Sequence, residues 1–232
     1  MILLKFLGRG RVALYTGYQW PLDEWVEADG PLDLCANGLH ACRRVNLPGW
    51  IDDELWLIEL DGDQETHDDF VVAQRARLVR RVDAWDEQAM RDFTEHTIRR
   101  LRDLIVLGLE LDARDGRDLA RASELDDIQQ AAVALARAGT RYADVLVLLA
   151  DIVALARGAR PEQYEATIHE DDLPTPGAIA ANVAYVAAHV SGRCAVAGSD
   201  DEASYDVGFA EERKQQSEWF NARLGLEELV YA

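Results

Sequence analysis

Three side chains with capacity for chemistry lie within eight residues, Cys35, His40 and Cys42, in a Cys-x4-His-x-Cys arrangement. A zinc site takes four protein ligands, or three and a water, and usually draws them from paired short spacings. The remaining candidates, Cys194 and the histidines at 67, 96, 169 and 189, are scattered along the chain. No metal is therefore expected, and the two cysteines read as small buried residues beside a hydrogen-bonded histidine. A nucleophilic Cys42 is the second chemistry, because Arg43 and Arg44 follow it and positive charge stabilises a thiolate. No third, orienting group is assigned by spacing, so the catalytic residue stays unknown. If Gly38–Cys42 is a strand, His40 and Cys42 point to one face, with Leu39 and Ala41 on the other. That face defines the ligand-pocket candidates: His40 and Cys42, with aromatic support from Tyr15, Tyr18 or Trp20.

The elements that position these residues are read from periodicity and punctuation. Ile2–Leu7 and Val12–Thr16 read as strands joined by Gly8-Arg9-Gly10, and residues 17–30 as a loop. Leu55–Leu60 reads as a strand ended by Asp61-Gly62. Phe70–Val82 reads as one or two strands, with Val72, Gln74, Ala76 and Leu78 on one side and the arginines mostly on the other. Trp20, Trp25, Trp50, Trp56 and Trp85 all precede Asp86, whereas alanine concentrates after it. Aromatic residues favour strands and alanine favours helices. The expected fold is α+β, with a small, mainly antiparallel sheet domain over residues 1–85 followed by an α-helical bundle over residues 86–232.

In the second part, Met90, Phe93, Thr97, Leu101 and Leu104 recur at helical spacing, as do Leu125, Ile128, Ala132 and Leu135. Gly139-Thr140 closes one helix and opens the next, which is apolar nearly all round from Arg141 to Arg157. Thr175-Pro176 starts another, since proline at the first helical position forfeits no hydrogen bond. Ser199-Asp200-Asp201-Glu202 has capping-box spacing for a last helix through Arg223.

Charge narrows the function classes. The 24 basic residues face 43 acidic ones, a formal net charge of −19, and such a chain repels nucleic-acid phosphates and anionic lipid. Arg75, Arg77, Arg80 and Arg81 follow an acidic run from Asp52 to Asp69, and the two runs are expected to neutralise each other across neighbouring strands. The acids near 110–115, 170–172 and 200–206 lack calcium-loop spacing. Walker, dinucleotide-binding, nucleophile-elbow and zinc-protease motifs are absent from the sequence. Three cysteines, no export signal and no apolar run of bilayer length imply a cytoplasmic location, with neither nucleic acid nor membrane as partner.

Gly38-Leu39-His40-Ala41-Cys42 followed by Leu55-Trp56-Leu57-Ile58-Glu59-Leu60-Asp61-Gly62 resembles the middle of the ADP-ribosyltransferase fold. That resemblance implies a nicotinamide-type pocket with His40 against the ring and NAD as cofactor. Lys5 stands where that family carries a His-Gly-Thr or an arginine, and no late strand offers its catalytic glutamate. Trp20-Pro21, GLHACR, LPGWIDDELW and ARLVRRVDAW together are similar to a family of actinobacterial proteins with no assigned activity. Glu212-Arg213-x-x-Gln216-x-x-Trp219 resembles bacterial immunity proteins. The leading expectation is an acidic, non-enzymatic protein-binding module, an immunity or inhibitory protein with a basic partner and no cofactor. A divergent ADP-ribosyltransferase-like protein is the alternative.

Overall fold

A computed structural model describes residues 1–33, 37–109, 111, 116–159, 174–199 and 201–229. The fold is α+β, with an antiparallel sheet over residues 2–81 followed by helices from Glu87 onward. Two compact units are present. One comprises Met1–Met90, Pro176–Ala181 and Gln215–Ala232, and the other Arg91–Thr175 and Asn182–Lys214. Among the described residues no helix is long and apolar enough to cross a membrane.

Five strands build the sheet: β1 (Ile2–Leu7), β2 (Val26–Glu27), β3 (Leu39–Ala41), β4 (Glu54–Thr66) and β5 (Val71–Arg81). β1 pairs with β4, β4 with β5, and the other edge of β5 takes β2 and then β3 along its length. One residue beyond β3, Cys42 forms an antiparallel bridge with Leu4 of β1. The succession β1, β4, β5, β3 therefore returns to β1 and closes on itself. Strand alternation places Leu3 and Leu7, Ala41, Trp56, Ile58 and Leu60, and Val71, Ala73, Ala76 and Leu78 in one buried cluster capped by Trp20. Each large aliphatic side chain buried there contributes roughly 1.5–3 kcal/mol. The opposite face of β1 is buried too, where Phe6 meets Trp85 at 5.7 Å and Phe220 at 6.0 Å. Two buried faces explain why ILLKFL and LWLIEL read as nearly unbroken apolar runs.

Four sequence expectations change, one of them among the helices: the helix ending near Arg223 starts at Ser204, while Ser199 closes the helix before it. Val12–Thr16 is not a strand: Gly10 and Arg11 both have positive φ, and only Val12 bridges, to Gly8 and Gln19. The 17–30 loop contains β2, a two-residue strand too short for a periodic signal. Asp61-Gly62 does not end β4. Gly62, at φ 73°, lies in a bulge where the pairing shifts between Asp61 and Gln64. The same shift moves the inward side of β5 from the even-numbered residues to Val71 and Ala73, with Ala76 and Leu78 beyond it.

The acidic and basic runs do pair across strands. Arg77 meets Glu59 at 2.7 Å, and Arg75 meets Asp61 at 3.5 Å and Glu27 at 3.2 Å. Trp25 stacks against both guanidinium groups, at 4.4 and 4.8 Å.

The helices are α1 (Glu87–Gly108), α2 (Gly116–Arg121), α3 (Leu125–Arg137), α4 (Ala143–Ala156), α5 (Pro176–Ser199), α6 (Ser204–Leu224) and α7 (Leu226–Leu229). In the second unit Phe93, Leu101, Ile128, Leu149 and Val183 are fully buried. Glu212 is buried as well and meets Arg100 at 2.7 Å, which gives the first residue of the Glu-Arg-x-x-Gln motif a packing role. Small residues set the α5–α6 approach: a Cβ at Gly208 would lie 2.6 Å from the Ser191 carbonyl oxygen, and one at Gly192 would lie 2.6 Å from the Tyr205 ring.

Gly38 decides how β3 enters the ring, since its φ is 139° and a Cβ there would come within 2.1 Å of Val72 Cγ1. Gly38→Ala is expected to destabilise the protein by about 2 kcal/mol or more, through both strain and overlap. Urea denaturation measures this loss. Adding Val72→Ala should recover only the overlap share, and full recovery would show that the backbone strain has no weight.

Candidate functional site

The β1–β3 closure is a narrow seam. Leu4 N donates to Cys42 O at 3.1 Å, and Cys42 N donates to Leu4 O at 2.8 Å. The Cys42 thiol donates to the same Leu4 carbonyl at 3.4 Å. One residue along β1, the Lys5 ammonium crosses the seam and donates to His40 O at 2.7 Å. Lys5 shares the inward side of β1 with Leu3 and Leu7, and its ammonium lies 5.1 Å from the centre of the Trp20 ring. A pocket of about 30 Å³ opens at this seam, lined by Lys5, Phe6, His40, Ala41, Cys42, Trp50 and Phe70. Such a space holds one or two waters, well below the roughly 300 Å³ at which ligand clefts begin.

Phe70 organises the rest of the pocket. Its ring lies 5.2 Å from His40, 5.8 Å from Trp50 and 5.1 Å from His67. The turn that carries it would leave carbonyls bare, and the segment after Cys42 satisfies them. Arg43 donates to His67 O at 2.5 Å, Asn46 to Asp68 O at 3.0 Å and Trp50 Nε1 to Asp69 O at 3.2 Å. A 3-10 helix, Arg44–Gly49, and the residues that flank it, Arg43 and Trp50, supply this clamp.

Electrostatics at the seam runs opposite to an activated thiolate. Burial pushes the Cys42 thiol up to about 12, and nearby Lys5 only partly opposes it. Lys5 is the perturbed base: burial lowers its pKa to about 8, while Cys42 acts the other way. By sequence alone Lys5 is a strand residue with no assigned role. The available signal was a single cation at the centre of an otherwise apolar strand.

The sequence-derived candidates separate. His40 and Cys42 line one pocket. Trp20 is 3% exposed and lies beneath Lys5, with Tyr18 edge-on to it at 5.9 Å. Tyr15 is 84% exposed. Cys35 lies outside the described residues, as do the acids at 110, 112, 115, 170–172 and 200. Among the described residues no three His, Cys, Asp or Glu side chains converge on a metal position.

A second carboxylate centre flanks the strands. Asp53 Oδ1 accepts from Gly177 N at 3.0 Å, at the start of α5, and its Oδ2 lies 3.4 Å from Arg9 Nε. The neighbouring Asp52 is 8% exposed, and its Oδ2 has no hydrogen-bond partner among the described residues. Burial raises its pKa, and Asp53 and Glu54 add to the rise.

The second unit carries a different feature, a set of four rings along α5 and α6. Tyr185 and His189 stack at 6.4 Å and 12°, while Tyr205 and Phe209 lie 6.1 Å apart at 31°. Across the helices Tyr185 meets Phe209 at 6.2 Å and 70°, and His189 meets Tyr205 at 5.7 Å and 65°. The stacked Tyr185–His189 pair and the tilted Tyr205–Phe209 pair thus stand at a steep angle to each other, pinned by a 2.7 Å bond between His189 Nδ1 and the Tyr205 hydroxyl. Tyr185 is 56% exposed. Arg213 already lies 5.3 Å from the centre of the Phe209 ring.

Over residues 1–90 the chain matches a family model described as a domain of unknown function, DUF7666. No curated protein and no solved structure matches it.

The Lys5 pKa has a signed consequence for stability. Between about 8 and the ordinary 10.5 the unfolded chain holds a proton that the folded chain has released, so stability rises with pH. Cys42 opposes this from 9.0 upward, toward about 12, and Cys194 does so toward about 11. The rise is therefore expected between pH 8 and 9. Lys5→Met should remove it and raise stability at pH 7 by about 1–3 kcal/mol, because a desolvated charge has been deleted. Urea denaturation at pH 7, 8 and 9 tests both statements, and an unchanged pH slope in the variant would assign the dependence to another group.

Proposed function

We propose that this chain is a protein-binding module, an immunity-type or inhibitory protein, whose partner presents basic side chains. The observation that carries the reading is the four-ring face of α5 and α6. Aromatic faces attract guanidinium and ammonium groups within about 6 Å of the ring centre, and Phe209 already holds Arg213 at that range. Tyrosine provides large contact area at little cost in rotamer freedom and is enriched where proteins bind one another. Glu202, just before α6, and Asp206 in its first turn are exposed and flank Tyr205 in sequence. With the net charge of −19, they favour approach by a basic partner over an acidic one.

The alternative, a nicotinamide-type pocket at His40, has against it the pocket volume of about 30 Å³, several-fold too small for a pyridine ring with its carboxamide. The raised Cys42 pKa also speaks for a packed thiol over a catalytic one.

The test uses a ten-residue peptide with three arginines and its counterpart with three leucines, titrated by calorimetry into the full chain. Binding is expected for the arginine peptide alone, about tenfold weaker after Tyr185→Ala, from the usual size of a cation–π contact and its buried area. Affinity should also fall as salt rises from 0.05 to about 0.5 M, as exposed charges are screened. Equal binding of the leucine peptide would remove the cation from the account. An unaffected Tyr185→Ala variant would move the contact elsewhere on the chain.

A further inference from the structure

We propose that Lys5 is a nucleophilic amine that captures small carbonyl compounds as imines in the pocket at the β1–β3 seam. The proposal is independent of the binding face on α5 and α6. Its first ground is composition. Lys5 and Lys214 are the chain's only lysines among 24 basic residues. Lys214 is 64% exposed on its side chain, near Glu211. An arginine at position 5 would keep its charge at any pH, whereas a lysine can release a proton and become a nucleophile. The one lysine inside the strand ring thus has a property that the prevailing cation of this chain lacks.

Geometry is the second ground. The amine is held at a fixed point by His40 O at 2.7 Å and by the Trp20 face at 5.1 Å. Lys5 also lines an opening whose other walls include Phe6, Trp50 and Phe70, and the residue as a whole is half-buried. Apolar walls disfavour the ammonium relative to the amine, the usual route to a reactive lysine. About 30 Å³ admits a molecule of two or three heavy atoms in place of water. The substrate class is therefore aldehydes of one or two carbons.

The chemistry balances without a further reagent. The neutral amine adds its electron pair to the carbonyl carbon, a C–N bond forms, and the oxygen takes up a proton to give the carbinolamine. The C–O bond then breaks. The oxygen leaves as water with two hydrogens equivalent to those of the amine, and C=N forms. No electron is gained or lost overall.

The experiment treats the full chain with acetaldehyde at pH 7 and traps the imine with cyanoborohydride, which reduces it to an N-ethyl amine. Peptide masses then report the rates at Lys5 and Lys214 separately. Lys5 is expected to react at least about tenfold faster, since an amine with a pKa near 8 is roughly a tenth neutral at pH 7 and an ordinary lysine amine far less so. The Lys5 rate should level off above pH 8. Lys5→Arg keeps the charge and should lose this label alone, with its melting followed in parallel to confirm folding. Reaction at Lys214 as fast as at Lys5, or a Lys5 rate that still climbs beyond pH 10, would overturn the proposal.

Discussion

The pairing of Leu4 with Cys42 is the interaction on which the sheet unit depends. Without it, β1 and β3 would be two free edges, each with unsatisfied N–H and C=O groups. With it, the inward side chains of four strands enclose one apolar cluster beneath Trp20. The closure is short, two backbone bonds and a thiol contact. The Lys5 ammonium spans the same seam, and the clamp from Arg43, Asn46 and Trp50 fixes the β4–β5 turn beside it. The pocket is a consequence of the closure, left where one bridge replaces a full ladder.

Charge is handled in two ways. On the outer strands arginine and acid pair in the open, where each contact contributes little alone but where Arg75, Arg77 and Trp25 form a connected network. Inside, Lys5, Asp52 and Glu212 are charges placed among apolar groups. Glu212 has Arg100 and Lys5 has a carbonyl and an indole face. Among the described residues, Asp52 has the Asp53 amide on one oxygen and no partner on the other. Such groups lower stability or shift their pKa unless bonded, and the Lys5 and Asp52 pKa values are shifted in the neutralising direction.

The two candidate surfaces differ in kind. The seam pocket is small and mostly apolar, with Lys5 among its lining residues. The rings on α5 and α6 are broad and partly exposed, and acids flank them, which suits a protein side chain. Glycine at 192 and 208 allows the close helix approach that brings the two ring pairs together.

The α+β class and most helix ranges follow from local signals alone. Alternation, the tryptophan-to-alanine shift at Asp86, the proline at 176 and the glycine at 139 each act over a few residues. The alignment of His40 with Cys42 followed likewise from strand period. Closure did not, because a single bridge between residues 4 and 42 leaves no periodic trace. The bulge at Gly62 was hidden for a related reason: Asp-Gly ends a strand as readily as it kinks one, and pairing with β5 decides which occurs. In the sequence Lys5 and the four rings of α5 and α6 are strand and helix positions only. Their chemistry arises from neighbours 15 to 35 residues away, and burial by distant segments, not residue type, sets a lysine's pKa or makes four aromatics one surface.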